Sequence, residues 1–102
     1  MFSFKADITL IDVYRTKPVP GPSSYRPLLF FSNNLNRSGE IKIEEGEQLE
    51  MNKTYNDRLI TIWAHKDLDP YKEFFVGRNF VLKEGVPVIG IGKITQVIGE
   101  EV

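Results

Sequence analysis

The chain of 102 residues has no cysteine, a single histidine and no long apolar segment. Without cysteine there is no disulfide, no thiolate metal ligand and no cysteine nucleophile, and the composition fits a reducing compartment. No apolar run approaches the roughly 20 residues that a membrane-spanning helix needs. The N-terminal MFSFKADITL carries charges where a signal peptide has its apolar segment. These absences predict a cytoplasmic protein that does not associate with membranes.

Acid–base or metal chemistry would have to be built around the one histidine, His65. Asp67 and Asp69 could orient its ring, but nothing in their spacing supports a catalytic arrangement. The acidic run EIKIEEGEQLE (40–50) lacks the D-x-[DN]-x-[DN]-G order of calcium ligands and is typical of a solvated hairpin. We therefore expect no catalytic residue, no metal and no cofactor, and an enzyme built on His65 ranks as the third hypothesis.

The segment VPVIGIGKIT (86–95) combines two glycines, a lysine and a threonine in a way that suggests a phosphate-binding loop. Such a loop requires G-x-x-x-x-G-K-[ST]. Here Pro87 occupies the first glycine position and Ile94 occupies the hydroxyl position. We predict no nucleotide binding and interpret the segment as a β-strand.

In that strand, alternation places Gly90 and Gly92 on one face, where the missing side chains allow a neighbour to approach closely. Lys93 then projects from the opposite face, beside Ile89 and Ile91.

Period-two alternation of apolar residues dominates the rest of the chain. Its clearest example is 2–10, where every second residue from Phe2 is apolar. The Pro-rich RTKPVPGPSSYRP (15–27) predicts a long surface loop, and 73–85 predicts one strand interrupted by a turn or bulge at Gly77. Several short strands without a 3.6-residue period indicate an antiparallel sandwich or a closed barrel. Further strands are predicted within LLFFS (28–32), EIKIE (40–44) and RLITIWAH (58–65).

The net charge of −1 gives no overall attraction to nucleic acid, and we expect no DNA binding. Residues 1–37, however, carry five basic residues against two acidic ones, a local net charge of +3. Basic side chains interleaved with aromatic ones can hold phosphates and stack bases, so RNA contact remains an alternative. The residues concerned are Tyr14, Arg15, Lys17, Tyr25, Arg26 and Arg37.

Read in order, FKADITL, RTKPV, YRPLLFF, SGEIKI and GRNFVLKEGVPVIGIGKITQVIG resemble the C-terminal (third) domain of elongation factor Tu. The resemblance runs from Phe4 to Gly99 and implies one all-β domain over 1–102, a small closed antiparallel β-barrel. In that family the barrel packs on two other domains and touches the T-stem backbone of aminoacyl-tRNA. The family's GTPase and second domains have no counterpart in these 102 residues, so the resemblance implies no nucleotide binding.

These observations predict a translation-related, non-enzymatic binding module that contacts a macromolecule, with a protein partner favoured and tRNA or another RNA as the alternative. Arg26 and the KEGVP turn match motif positions of the resembled family. We expect the Pro-rich loop and that turn to form one patch. The predicted partner-binding residues are Tyr14, Arg15, Lys17, Tyr25, Arg26, Lys83, Glu84 and Gly85.

Overall fold

The computed structural model describes residues 1–12, 17–21, 23–63 and 69–100. Tyr14, Arg15 and His65, singled out from the sequence, lie outside these residues. The regular secondary structure of the described residues is almost entirely strand, with one short helix, as the alternating pattern predicts. In order, its elements are β1 (Phe2–Leu10), β2 (Val19–Pro20), β3 (Ser23–Tyr25), β4 (Leu28–Phe30), β5 (Asn36–Ile43), β6 (Gln48–Leu49), β7 (Thr54–Ile62), α1 (Pro70–Glu73), β8 (Asn79–Lys83) and β9 (Val88–Glu100).

Six antiparallel strands close into a barrel, in the order β5, β4, β8, β9, β1, β7 and back to β5. Closure confirms the barrel and decides against the open sandwich. Strand β5 makes it possible by pairing with β4 at one end and with β7 from Gly39 to Ile41. A barrel has no free edge in its main ring, so the backbone groups of these strands are paired around the circumference.

The outer strand β3 continues β4 in the same register along β5. Tyr25 lies opposite Ile41, and three residues further along each strand Leu28 lies opposite Ser38. Proline has no N–H to donate to the ladder, and Pro27 separates the two short strands. Its carbonyl oxygen still accepts from the Gly39 N–H at 3.2 Å. The segment 23–30 is therefore one interrupted ribbon.

This ribbon corrects the prediction of one long surface loop over 15–27. Val19–Pro20 pairs with Gln48–Leu49, and Ser23–Tyr25 pairs with β5. Proline is compatible with short edge strands, which explains why the prolines shorten these strands without abolishing them.

Phenylalanine rings fill one end of the barrel. Phe74 contacts Phe2, Phe4 and Phe31 with ring centroids 5.2 to 5.9 Å apart, and Phe80 lies 5.2 Å from Phe31. Each such pair contributes about 0.5–1.5 kcal/mol beyond burial of its area. All five rings are at most 3% exposed, so this cluster is part of the buried core.

Gly92 admits one of these rings. A Cβ built on Gly92 would lie 2.3 Å from the Phe80 ring, much closer than two carbon atoms approach. The prediction that Gly92 allows a close neighbour is confirmed, and the neighbour is Phe80, its partner on β8.

The segment before β8 differs from the predicted interrupted strand. Asp69 caps the N-terminus of α1 by accepting from the Tyr71 N–H, and Pro70 occupies the first helical turn. Both residue types are favoured at these positions. The helix ends before Phe74, which turns into the core, and Gly77 has a positive φ of 93°.

Arg78 is a buried cation whose hydrogen bonds join three parts of the chain. Its guanidinium donates to the Glu73 carbonyl and carboxylate at 2.6 and 2.9 Å, and to the Ser32 carbonyl and hydroxyl oxygens at 3.1 Å. It also lies over the Phe31 ring, 5.2 Å from the centroid. Arg78 therefore ties α1 and the turn after β4 to the start of β8.

We expect Arg78→Met to lower the free energy of unfolding by about 2–4 kcal/mol, because it leaves the partly buried Glu73 carboxylate without its ion-pair partner and removes the donor to the Glu73 and Ser32 carbonyl oxygens. Urea denaturation measures this change. Arg37→Met serves as a control on a partly exposed cation of β5, with an expected loss of less than about 1 kcal/mol. Equal losses in the two variants would contradict the structural role of Arg78.

Glu47 and Arg58 form a bidentate ion pair with two N–O distances of 2.6 Å. The hydrogen bonds from Arg58, together with the Glu44 N–H, lower the pKa of Glu47 from 4.5 to about 2. The acidic run predicted as a solvated hairpin is therefore anchored to β7 through this carboxylate.

We expect Glu47→Gln to cost about 1–2 kcal/mol of stability at neutral pH, after allowance for solvent screening. Because the folded-state pKa of Glu47 is depressed, its contribution is complete above about pH 5. It is lost as the pH falls through 4.5 toward about 2. Urea denaturation at pH 7 and near pH 2 should therefore show a difference from wild type that disappears in acid. For the exposed neighbour Glu45, the Glu45→Gln change should show little difference at either pH.

Candidate functional site

Five of the predicted partner-binding residues lie near one another in the structure. Tyr25 is the last residue of β3 and Arg26 follows it, while Lys83, Glu84 and Gly85 form the end of β8 and the turn after it. The Tyr25 hydroxyl donates a hydrogen bond to the Glu84 carboxylate, which joins the two segments directly. Together with Glu40 and Trp63 from neighbouring strands, we call these residues the outer patch.

Arg26 lies directly opposite Glu40 in the register that continues through the ribbon. Its guanidinium forms an ion pair with the Glu40 carboxylate at 3.1 Å and lies 5.6 Å from the centre of the Trp63 ring. The Arg26 side chain is 62% exposed, and Trp63 is 46% exposed. Ser24 also donates to Glu40, at 3.3 Å. The ion pair and the hydrogen bond to Glu40 therefore fix an exposed guanidinium group over a half-exposed tryptophan ring at the surface.

Trp63 was not among the predicted site residues. Alternation in RLITIWAH puts it on one face of the strand with Leu59, and the structure shows that this face is the outer one, since Leu59 and Trp63 are each 46% exposed. Ile60 and Ile62 are fully buried between them. The signal that could have found Trp63 is the tryptophan itself on an outward position, since exposed tryptophan is typical of binding surfaces.

Tyr25 has a different position from the one expected for an exposed anchor. Its ring is half-buried against the core, and its hydroxyl reaches Glu84. It positions the KEGVP turn against the ribbon. Consequently, the exposed aromatic ring of the patch is that of Trp63.

The turn after β8 supplies the other side of the patch. Gly85 has a φ of 70°, in the left-handed region that favours glycine, and the Glu84 N–H donates to the Pro87 carbonyl at 3.2 Å. Lys83 lies opposite Leu28, and its ammonium group is 4.4 Å from the centre of the Phe30 ring. Lysine and arginine thus each lie over an aromatic ring on this surface.

Lys17 belongs to a different part of the surface. It is exposed and leads into β2, which pairs with β6, whereas the residues of the outer patch lie on and around β3, β5, β7 and β8. Of the basic residues in the Pro-rich segment that the structure describes, Arg26 is therefore the one in the outer patch.

Within the ranges that the structure describes, no group of three or more histidine, aspartate and glutamate residues is arranged to hold a metal ion. Among the same residues, no helix has the length and apolar character to cross a membrane.

No family model matches the chain, and no curated protein matches it.

We expect Arg26→Ala to lower the free energy of unfolding by less than about 1 kcal/mol, because exposed ion pairs contribute little. Thermal and urea denaturation measure this change. Tyr25→Ala, which removes a ring packed on the core, should cost about 2–4 kcal/mol. If Arg26→Ala were as damaging as Tyr25→Ala, Arg26 would be a brace of the barrel and not a surface group.

Proposed function

We propose that this protein is a non-enzymatic binding module of the cytoplasm, related to the third domain of elongation factor Tu, whose outer patch binds a protein. The observation that carries the proposal is the half-exposed Trp63 ring beneath the exposed Arg26 guanidinium. Tryptophan and arginine are the residue types that most often dominate binding energy at protein interfaces. A folded scaffold that already holds both side chains loses less conformational entropy on binding.

The charge balance of the outer patch supports a protein partner over RNA. Its cations Arg26 and Lys83 are accompanied by the carboxylates of Glu40 and Glu84, so the patch has no net positive charge. Phosphate-rich partners need an excess of cations, whereas protein interfaces commonly mix both signs around an aromatic centre. RNA binding remains the alternative that the experiments distinguish.

Site-specific photo-crosslinking tests the proposal. With p-benzoylphenylalanine in place of Trp63, irradiation in a cell extract should yield a defined protein adduct that mass spectrometry identifies. Leu59 is the matched control, because it is also 46% exposed and lies on the same face of β7. An adduct of equal yield at both positions, or at position 59 alone, would contradict the outer patch as the site.

With the captured protein in hand, Arg26→Ala should weaken binding by about 1–2 kcal/mol, or roughly fivefold to thirtyfold. Isothermal titration calorimetry at several salt concentrations measures the effect, and the salt dependence should be moderate. If the adduct contains RNA instead, each lost phosphate contact should lower the slope of log K against log salt by roughly one. An RNA adduct with this salt dependence would reject the protein partner in favour of RNA.

A further inference from the structure

An apolar groove crosses the outer face of the barrel beside the outer patch. Cross-strand register aligns Phe30 of β4, Val81 of β8 and Ile91 of β9 in one outward row. Ile91 is 54% exposed. The groove has a volume of about 660 Å³, within the range of about 300–1,000 Å³ typical of occupied binding pockets.

Lysines flank this row on both sides along the strand direction, two residues beyond Val81 on β8 and two residues beyond Ile91 on β9. Lys83 is on one side, with its ammonium group 4.4 Å from the centre of the Phe30 ring. Lys93 is on the other side, opposite Asn79, and it lines the groove. Since a strand rises about 3.3 Å per residue, the four steps from Asn79, the partner of Lys93, to Lys83 separate the two lysine positions by roughly 13 Å along the strand direction.

One carboxylate also lines the groove, at the Lys93 end. Asp7 is opposite Lys93 on β1, and its Oδ1 atom accepts from the Asp57 N–H at 3.0 Å. This hydrogen bond occupies part of its acceptor capacity. Lys83, Lys93 and Asp7 together give the side chains around the apolar row a net charge of +1, whereas Glu84 points to the Tyr25 hydroxyl in the outer patch.

We infer that this groove holds an extended segment of the partner protein in which two carboxylate side chains lie four residues apart with an apolar residue midway. In an extended chain, residues i, i+2 and i+4 point to the same side. The first and last of them are then about 13 Å apart, which matches the separation of the two lysines. The middle side chain packs on Val81 and Ile91. The inference rests on the proposed function, because it names the kind of protein segment that lies next to the outer patch.

Selection from a phage-displayed library of random dodecapeptides against the wild-type protein tests the inference. The enriched peptides should share the pattern acid-x-apolar-x-acid. Absence of enrichment above background, or enrichment of peptides without paired acids, would overturn it.

The affinities of substituted variants for the enriched peptides then show whether these peptides bind in the groove. Lys93→Glu and Ile91→Ser should each weaken peptide binding at least tenfold by isothermal titration calorimetry. Their matched controls, Lys42→Glu on another exposed strand position and Leu59→Ser on β7, should change it less than threefold. Equal affinities for Ile91→Ser and wild type would overturn the inference.

Two further outcomes separate this inference from competing explanations. Sedimentation of a wild-type dimer that Ile91→Ser converts to a monomer would assign the groove to a second copy of the chain and overturn the inference. If selection fails while the protein crosslinked at position 63 loses affinity in Arg26→Ala, the proposed function stands and the acidic segment alone is rejected. If the peptides bind as expected but position 63 yields no more adduct than position 59, the outer patch is rejected as the binding site. The assignment of an acidic segment to the groove is then still supported.

Discussion

The pairing of β5 on both of its sides is the constraint on which the rest of the structure depends. β5 takes the ribbon of β3 and β4 on one side and β7 on the other, which closes the barrel. Because register is continuous along the ribbon, closure also fixes which outer residues meet. Arg26 lies opposite Glu40, and Trp63 lies one residue beyond the paired end of β7. The outer patch is thus a direct consequence of how the barrel closes.

The interior supports the same geometry by close packing. Gly39 is the residue of β5 at which pairing with β7 begins, just after the last residue that pairs with β4. A Cβ on Gly39 would lie 2.7 Å from a methyl carbon of Leu29. At the end of the barrel, Phe74 packs against rings from β1 and from the residue after β4. Arg78 then satisfies the polar groups of the turn that brings Phe74 there. Fixed strand ends in turn hold the turns and outward side chains that the proposed binding function uses.

The sequence predicts those parts of the fold in which alternation is uninterrupted. The inward face of β1 and that of β7 from Ile60 to Ile62 follow period two, and Gly92 faces Phe80 as a close approach requires. Alternation fails at Ile89, which was expected on the outer face with Lys93 but is only 1% exposed. The register shifts between Leu82 and Lys83, and such a bulge moves a residue to the other face without a local sequence signal.

For the candidate site, the sequence predicts which segments take part, but it does not predict which side chains from distant strands contact each other there. The motif positions around Arg26 and Lys83 do come together. The stacking partner Trp63 and the counter-charge Glu40 are distant in sequence, and only closure through β5 brings them to Arg26. Likewise, the sequence predicts Tyr25 as a partner-binding residue, whereas the structure packs its ring partly against the core. Such long-range partners depend on strand order, which alternation within each strand does not determine.

The affinity of the Trp63→Ala variant for the protein captured at that position tests the central claim most directly. If the outer patch is the binding site, Trp63→Ala should lose at least thirtyfold in affinity, about 2 kcal/mol or more, while Leu59→Ala loses less than threefold. Both variants should unfold at urea concentrations close to that of wild type. Full affinity in a folded Trp63→Ala protein would contradict the claim.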